Sequence, residues 1–456
     1  MGEAKSKNCV LFVATVASFL PAFMNSAINI ALPAIGEEFS MDAVLLGWVA
    51  TAYLLALAIF MLPLGRAADI YGRKKFFVWG MVVFTVFSFL SAFPYTSMML
   101  ITFRFFHGIG SAMIFSTGVA LLTSVFPPGE RGQALGINVT AVYVGISLGP
   151  FLGGVLTQYL GWRSIFLVSV PLGVGVIALI IWKLEGDWIE AAGEKFDWVG
   201  SIIYAFVLFS VMYGFTFLPS PAGLWFVFLG ILGLVVFLRW EMRSASPVLD
   251  VGLFRENRAF AMSNLAALIS YGATFAVVFI LSLYLQYIKG LDPRSAGLVL
   301  VAQPVVQAIF SPGAGKLSDR IEPRIVASAG MAITVVGLSL LVSLNEDTEL
   351  IYIVSVLAIL GLGFALFSSP NTNAIMSSVD KRYYGVASGM VGTMRSLGMM
   401  VSMAIAMTAL ALIVGRVPIT PEYHVQFLRS ARAIFSIFVV LCAAGVLASL
   451  ARGKVR

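Results

Sequence analysis

Stretches of roughly twenty apolar residues, separated by short polar breaks, repeat from one end of this chain to the other. A hydrocarbon core about 30 Å thick takes about twenty helical residues to cross. In lipid, backbone N–H and C=O groups must pair within the crossing segment, so each apolar run is predicted to be a helix. The pattern gives about fourteen spans, near residues 9–32, 45–67, 76–95, 98–125, 133–159, 163–183, 197–217, 222–239, 258–288, 295–317, 324–344, 350–372, 384–414 and 432–452. Pro219 and Pro221 mark a tight turn between the seventh and eighth. The first run is too long for a signal-peptide core and is read as a retained helix. The fold class implied is an all-α polytopic membrane protein.

Composition agrees. Hydrophobic residues make up 60% and charged residues 11% of the chain, against roughly 25% charged in a soluble domain. Cys9 and Cys442 lie at opposite ends and form neither a disulfide framework nor a metal-ligand spacing. The net charge of +7 is an orientation signal. Basic residues crowd the breaks on the side of the two termini: Arg73, Lys74 and Lys75; Arg239 and Arg243; Lys316, Arg320 and Arg324; Lys381 and Arg382; Lys454 and Arg456. The other side holds only Arg163, Lys289, Arg294, Arg416, Arg429 and Arg432, together with the acidic Glu37, Glu38, Asp42, Glu346, Asp347 and Glu349. Cations mark cytoplasmic loops. Both termini are therefore expected in the cytoplasm, the protein in the cell membrane, and no nucleic-acid partner is needed.

The chain repeats itself. After the second span comes Gly65, Arg66, Asp69, Gly72, Arg73 and Lys74; after the tenth come Gly315, Asp319 and Arg320, with glycine and aspartate 250 positions on. Gly132, Gly136 and Gly145 match Gly385, Gly389 and Gly398 at an offset of 253. Two matches at nearly one offset suggest duplicated six-helix halves. The expected division is 1–190, an inserted helix pair at 191–245, and 246–456. Parallel repeats of this kind build carriers with a site at the midplane between them.

These motifs resemble the major facilitator superfamily, and within it the fourteen-helix drug:proton antiporters. Residues 65–75 resemble its signature loop, Arg104-Phe-Phe-His107-Gly108-Ile-Gly110 its helix-four motif, and Gly145, Gly149, Pro150, Gly153 and Gly154 its helix-five antiporter motif. Asn29-Ile-Ala-Leu-Pro33 and Pro247-Val-Leu-Asp-Val-Gly-Leu-Phe254 are further similar stretches. The resemblance implies two six-helix pseudo-repeats plus two inserted helices, and alternating-access transport of a small-molecule substrate.

Each motif has a physical reading. The Gly65–Asp69 loop and its repeat are expected either to gate, with Asp69 pairing a nearby Arg or a helix N-terminus, or to be solvated topology signals. The helix-five glycines are expected on one face at spacing four, for close packing, with Pro150 kinking the helix. A charge as deep as Arg104 costs at least a few kcal/mol and calls for a cavity or a polar partner. His107, one turn on, is either an interhelical hydrogen-bonding group or a proton-coupling site. Arg395 is expected to line a cavity or to tie helices near a face. Asn25, Asn29, Tyr143, Asn264, Gln303, Gln307 and Asn371 are the remaining cavity candidates. Asn138-Val-Thr140 fits a glycosylation pattern but lies within a span.

The chain departs from the antiporter pattern at Met24, where the family carries a helix-one aspartate, and no other carboxylate lies deep in a span. Strongly cationic substrates are disfavoured, because a buried cation needs a counter-charge. Neutral or anionic amphiphiles fit better. The chain has neither a Walker loop nor a metal-ligand cluster, so no cofactor is expected beyond a proton, and it is read as a monomer that is not an enzyme. Three functions remain: an exporter of small amphiphilic compounds, proton-coupled or not; an uncoupled facilitator or organic-anion carrier; and a non-transporting sensor or scaffold.

Overall fold

Side-chain caps in the sequence mark where six of the described helices begin. Asp42 accepts hydrogen bonds from the N–H groups of Val44 and Leu45, both at 2.8 Å, and so starts the second helix. Thr96, Asp197, Ser220, Asn257 and Asp292 cap later helices in the same way. Such a cap satisfies N–H groups the helix cannot pair itself. Gly72, at φ 117°, turns the chain between two helices in a region L-residues avoid.

The computed structural model describes residues 2–127, 130–184, 186–218, 220–244, 247–249, 251–379 and 384–453. Pro219, Asp250, Lys381, Arg382, Lys454 and Arg456, named above, lie outside them. The helices are α1 (Gly2–Phe39), α2 (Ala43–Tyr71), α3 (Arg73–Ser91), α4 (Ser97–Val125), α5 (Arg131–Leu160), α6 (Arg163–Lys183), α7 (Trp198–Phe217), α8 (Pro221–Glu241), α9 (Val251–Glu256), α10 (Arg258–Leu283), α11 (Pro293–Leu300), α12 (Ala302–Ser318), α13 (Pro323–Val342), α14 (Leu350–Ser377), α15 (Tyr384–Ile413) and α16 (His424–Ala451). Fourteen segments among the described residues are long and apolar enough to cross a membrane. The odd-numbered breaks lie on one face and the even-numbered breaks share the other with the termini, called the terminal face below.

Several boundaries differ from the expected ones. α1 runs on to Phe39 through Pro33, because neighbouring helices support the one backbone group that proline leaves unpaired. The span expected at 295–317 is two helices, α11 and α12, joined at Val301. The last helix begins at His424, not 432, because the turn Pro421–Tyr423 leads straight into it. Arg429 and Arg432 are therefore helical, and Arg432 Nε donates to the Leu344 carbonyl at 3.1 Å.

The internal repeat is present in the packing. In the first half α1 lies on α5 and α6, and α4 on α2 and α3; in the second α10 lies on α15 and α16, and α14 on α12 and α13. The same glycine contacts recur 249 to 253 positions on. A Cβ on Gly110 would stand 2.5 Å from Phe84 N beside Gly80; one on Gly363 would stand 2.8 Å from the Gly330 carbonyl. Gly145 presses on the Phe19 carbonyl as Gly398 does on that of Leu268, and Gly65 faces Ser116 as Gly315 faces Ser369. Glycine here lets two backbones meet without a side chain between them.

The inserted hairpin, α7 and α8, sits against both halves. Tyr204 of α7 donates to the Ala58 carbonyl of α2 at 3.1 Å, and Thr408 of α15 donates to the Phe215 carbonyl of α7 at 2.9 Å. One apolar cluster joins Leu55 and Ile59 of α2, Leu208 and Met212 of α7, and Met400 and Ala404 of α15.

Candidate functional site

The two halves meet along α2 with α15 and α5 with α11 and α12. Away from the terminal face the seam is closed by hydrogen bonds between the halves. Ser282 donates to the Asn29 carbonyl at 2.6 Å and Gln286 to that of Ile30 at 3.1 Å. Arg294 donates to Tyr159 at 3.0 Å, and Ala43 N to the Val417 carbonyl at 3.3 Å. On the terminal face the described ion pairs, Lys7 with Glu130, Arg66 with Glu194, and Arg73 with Asp69 and Glu190, stay within the first half and the segment following it. Gly136, Gly313 and Gly389, toward that face, each have open space where a side chain would go.

Midway along the seam lies a polar and aromatic cluster. Tyr143 of α5 reaches across from the first half, its hydroxyl 2.8 Å from Ser368 Oγ on α14. Arg395 of α15 faces the hydroxyls of Tyr143 and Tyr271, and its guanidinium carbon lies 5.1 Å from the centre of the Tyr271 ring. Tyr271 packs edge-on to Phe364, centroids 5.2 Å apart at 81°. Of the ten cavity candidates, the structure brings Tyr143 and Arg395 together here. Asn25 and Asn29 lie one turn apart on α1, Asn29 Nδ2 donating to the Asn25 carbonyl at 3.3 Å. Gln303 and Gln307 lie on α12. Asn25 Oδ1, Asn29 Oδ1, Gln303 Oε1 and Arg395 Nε are buried and have no hydrogen-bond partner among the described residues.

Arg104, His107 and Asn371 are placed elsewhere. Arg104 and His107 are both 0% exposed and sit inside the first half. Arg104 Nε donates to the Val49 carbonyl at 3.1 Å, and Nη1 lies 3.0 Å from His107 Nδ1. The Tyr53 ring stacks on the guanidinium at 4.4 Å, and Phe84 covers the imidazole at 4.2 Å. With a guanidinium donating to Nδ1, the imidazole is the neutral tautomer carrying its hydrogen on Nε2. The pair meets the need of a deep cation for polar neighbours by helix-to-helix bonding and leaves the central seam. Asn371 donates to the Ser263 carbonyl at 3.0 Å and accepts from Arg452 Nη1 at 3.0 Å. It ties α14 to α10 and to the end of α16.

The signature loop carries a dense ionic network. Arg73, 6% exposed, donates to Asp69 Oδ1 at 2.7 Å, Ser124 Oγ at 2.7 Å and Glu190 Oε2 at 2.8 Å. The connecting segment 184–197 is laid over the loop. Glu190 N and Ala191 N donate to the Asp69 carbonyl at 3.2 and 3.0 Å, Lys74 N donates to Asp187 Oδ1 at 2.8 Å, and Arg66 pairs with Glu194. A side chain at Gly72 would drive into the Asp187 carboxylate. Asp69 thus takes the arginine partner. In the second half Asp319 Oδ1 accepts from Asn373 at 3.2 Å, and Arg320 is exposed.

The helix-five residues divide between two faces, where one was expected. Gly145, Gly149 and Gly153 press on Phe19, Ser26 and Ala27 of α1, whereas Gly154 meets Pro293 and the Pro150 carbonyl meets Gly297 of α11. Gly154 follows Gly153 by one residue and so points about 100° around the helix.

Some contributors escaped the sequence reading. Tyr271 is a tyrosine inside a span, the criterion that selected Tyr143, and Ser368 has no distinguishing signal. Glu190 and Glu194 are acids on the basic side of the chain, a departure from the charge pattern that marks them. Arg452, 1% exposed, donates to Asn371 and to Ser263 Oγ. Asp197, which accepts from Trp240 Nε1 at 3.0 Å, and Glu241 are buried acids at the terminal-face ends of α7 and α8. Asn138 donates to Ser18 Oγ at 2.9 Å between α5 and α1, so it is a packing residue.

Comparison with known proteins follows the same lines. The family model described as "Major Facilitator Superfamily" matches residues 14–240 and 263–455. The riboflavin transporter RibZ of Clostridioides difficile is 31% identical over 399 residues, 86% of each chain. The multidrug resistance protein Stp of Mycobacterium tuberculosis is 30% identical over 409 residues, 88% of this chain and 75% of that protein. Among solved structures, a bacterial homologue of the human lysosomal transporter Spinster in an inward-facing, unoccupied conformation superposes with a TM-score of 0.68 at 16% identity, covering 98% of this chain and 97% of that one.

Proposed function

The chain belongs to the Major Facilitator Superfamily, and from that premise we propose that it exports small amphiphilic organic compounds across the cell membrane by alternating access. The basic residues crowd the terminal face, which supports a cytoplasmic position for both termini. In that orientation the hydrogen bonds that join the halves at Ser282, Gln286 and Arg294 lie on the outer side of the seam, as expected of the state in which an exporter loads. The observation that carries this reading is the Tyr143–Ser368 contact beside Tyr271 and Arg395. It sets polar and aromatic groups of both repeated halves at one midplane point, where a solute held between them is released as they rock apart. The names of the relatives, a riboflavin transporter and a multidrug resistance protein, support an aromatic, amphiphilic solute.

A second reading, transport without proton coupling, is favoured by Met24. It is fully buried where the family carries an acid, and His107 is enclosed with Arg104. Counterflow of radiolabelled riboflavin and of fluorescein in proteoliposomes tests both. Saturable exchange of either compound is the expected result. Acceleration by an imposed pH gradient establishes antiport, and indifference to it establishes facilitation. Absence of exchange for both, together with opposite-face cysteines that never trade accessibility, overturns the carrier.

A further inference from the structure

Arg73 and Arg452 are buried among hydrogen-bond partners, Arg104 is buried inside the first half with Nη2 unpartnered, and Arg395 is half-buried on the seam. Arg73 holds two carboxylates, Asp69 and Glu190. Arg104 has the Val49 carbonyl and the His107 ring. Arg452 has Ser263, Asn371 and Ser449. Arg395 differs. It takes part in none of the described ion pairs, and its Nε is buried with no hydrogen-bond partner among the described residues. The groups it faces are phenol hydroxyls and a ring face.

Depth sharpens the point. α15 spans Tyr384–Ile413, and Arg395, eleven residues on from its first residue, stands about 17 Å along it at 1.5 Å per residue, inside the apolar span Gly389–Ile413. Guanidinium does not shed its proton there, and an uncompensated charge at that depth is costly. No carboxylate is described beside it; the buried acids Asp197 and Glu241 lie at the ends of α7 and α8.

We propose that Arg395 is the anion-recognising group of the central site, and that the preferred solute is an organic anion with a planar aromatic body. This deepens the carrier reading and rests on it. The anionic group takes the free edge of the guanidinium, where two parallel N–H donors match a carboxylate or sulfonate. The aromatic body lies against Tyr271 and Phe364, which pack edge-on to each other at 81°. Ser368 and Tyr143 supply hydroxyls to the solute's polar edge once their mutual bond opens.

The test uses the full chain in nanodiscs of phosphatidylcholine, so that no anionic lipid competes. Fluorescein and rhodamine 123 share a xanthene ring and carry opposite charge at pH 8; their binding is read by fluorescence anisotropy. The wild type is expected to bind fluorescein at least about tenfold more tightly, and to hold it against excess sulfate. Arg395→Gln is expected to lose that preference, leaving rhodamine 123 binding within about threefold, while Arg395→Lys keeps a part of it and shows that the site still folds. Equal binding of the two dyes, binding of neither, displacement by sulfate, or full fluorescein binding in the Gln variant overturns the proposal. Cysteine accessibility at the two faces is followed in the same samples. Exchange of accessibility without charge preference leaves the carrier intact and removes only the role of Arg395.

Discussion

His107 separates two roles that a lone histidine in a span leaves open. Its Nδ1 accepts from Arg104 while Phe84 and Tyr53 enclose the ring, so what the site needs is an acceptor. His107→Gln retains one and is expected to change thermal stability by less than about 1 kcal/mol, with the pH profile of transport unmoved. His107→Ala strands a buried donor and is expected to cost about 1–3 kcal/mol. Thermal unfolding of both variants in one detergent checks the difference, and a shifted pH profile in the Gln variant would restore the coupling role. Gly154 acts through conformation. A Cβ there collides with the Pro293 carbonyl of the other half, at a cost of about 1–3 kcal/mol in this conformation alone. Gly154→Ala is expected to shift the population about tenfold toward the alternate state, read as greater reactivity of cysteines on the outer face. Sequence showed that Arg104, His107 and Arg395 are unusual, because charge in an apolar run stands out at any position. It did not show which of them faces the seam, since that depends on helix rotation within the bundle.

At the scale of elements, hydropathy alone located the spans, and capping residues mark six of their starts. The break at Val301 and the early start of α16 were not visible, because both follow from how neighbouring helices pack. The least legible element was segment 184–197. Its partners lie more than a hundred positions back, and no local periodicity announces a strap held by ion pairs. Glu190 is partly exposed, so its bond to Arg73 is weakened by solvent. Glu190→Gln keeps a hydrogen-bond acceptor and is expected to lose about 1 kcal/mol, whereas Arg73→Ala leaves Asp69 without its partner and is expected to lose more. Proteolysis within 184–197 in native vesicles gives the readout. A strap equally resistant in the wild type and both variants would mean that the ionic contacts do not hold it.

The whole molecule is a duplicated one, and the duplication was legible because glycines and aspartates at helix crossings cannot drift far without losing the contact. Gly65 and Gly315 stand 250 positions apart in sequence, and their packing partners Ser116 and Ser369 stand 253 apart. The state of the seam was not legible, since the same residues serve every state of a rocking carrier. The closed outer face makes a direct prediction. With Cys9 and Cys442 replaced by Ser, cysteines at Tyr159 and Arg294, whose side chains meet at 3.0 Å, are expected to be joined by a short bifunctional thiol reagent. Transport should then fall more than about tenfold and recover when the bridge is cleaved. Undiminished transport in the bridged protein would falsify rocking about this seam.

The hairpin of α7 and α8 gives the molecule a sidedness that its two matched halves lack. One flank of the carrier, where α2 meets α15, is shuttered by α7 through Tyr204 and Thr408. The other flank, where α5 meets α12, turns Ile137, Val144, Ile309 and Phe310 outward. On the proposed carrier reading, a solute dissolved in the bilayer is expected to reach the seam past α5 and α12, the flank that α7 does not cover.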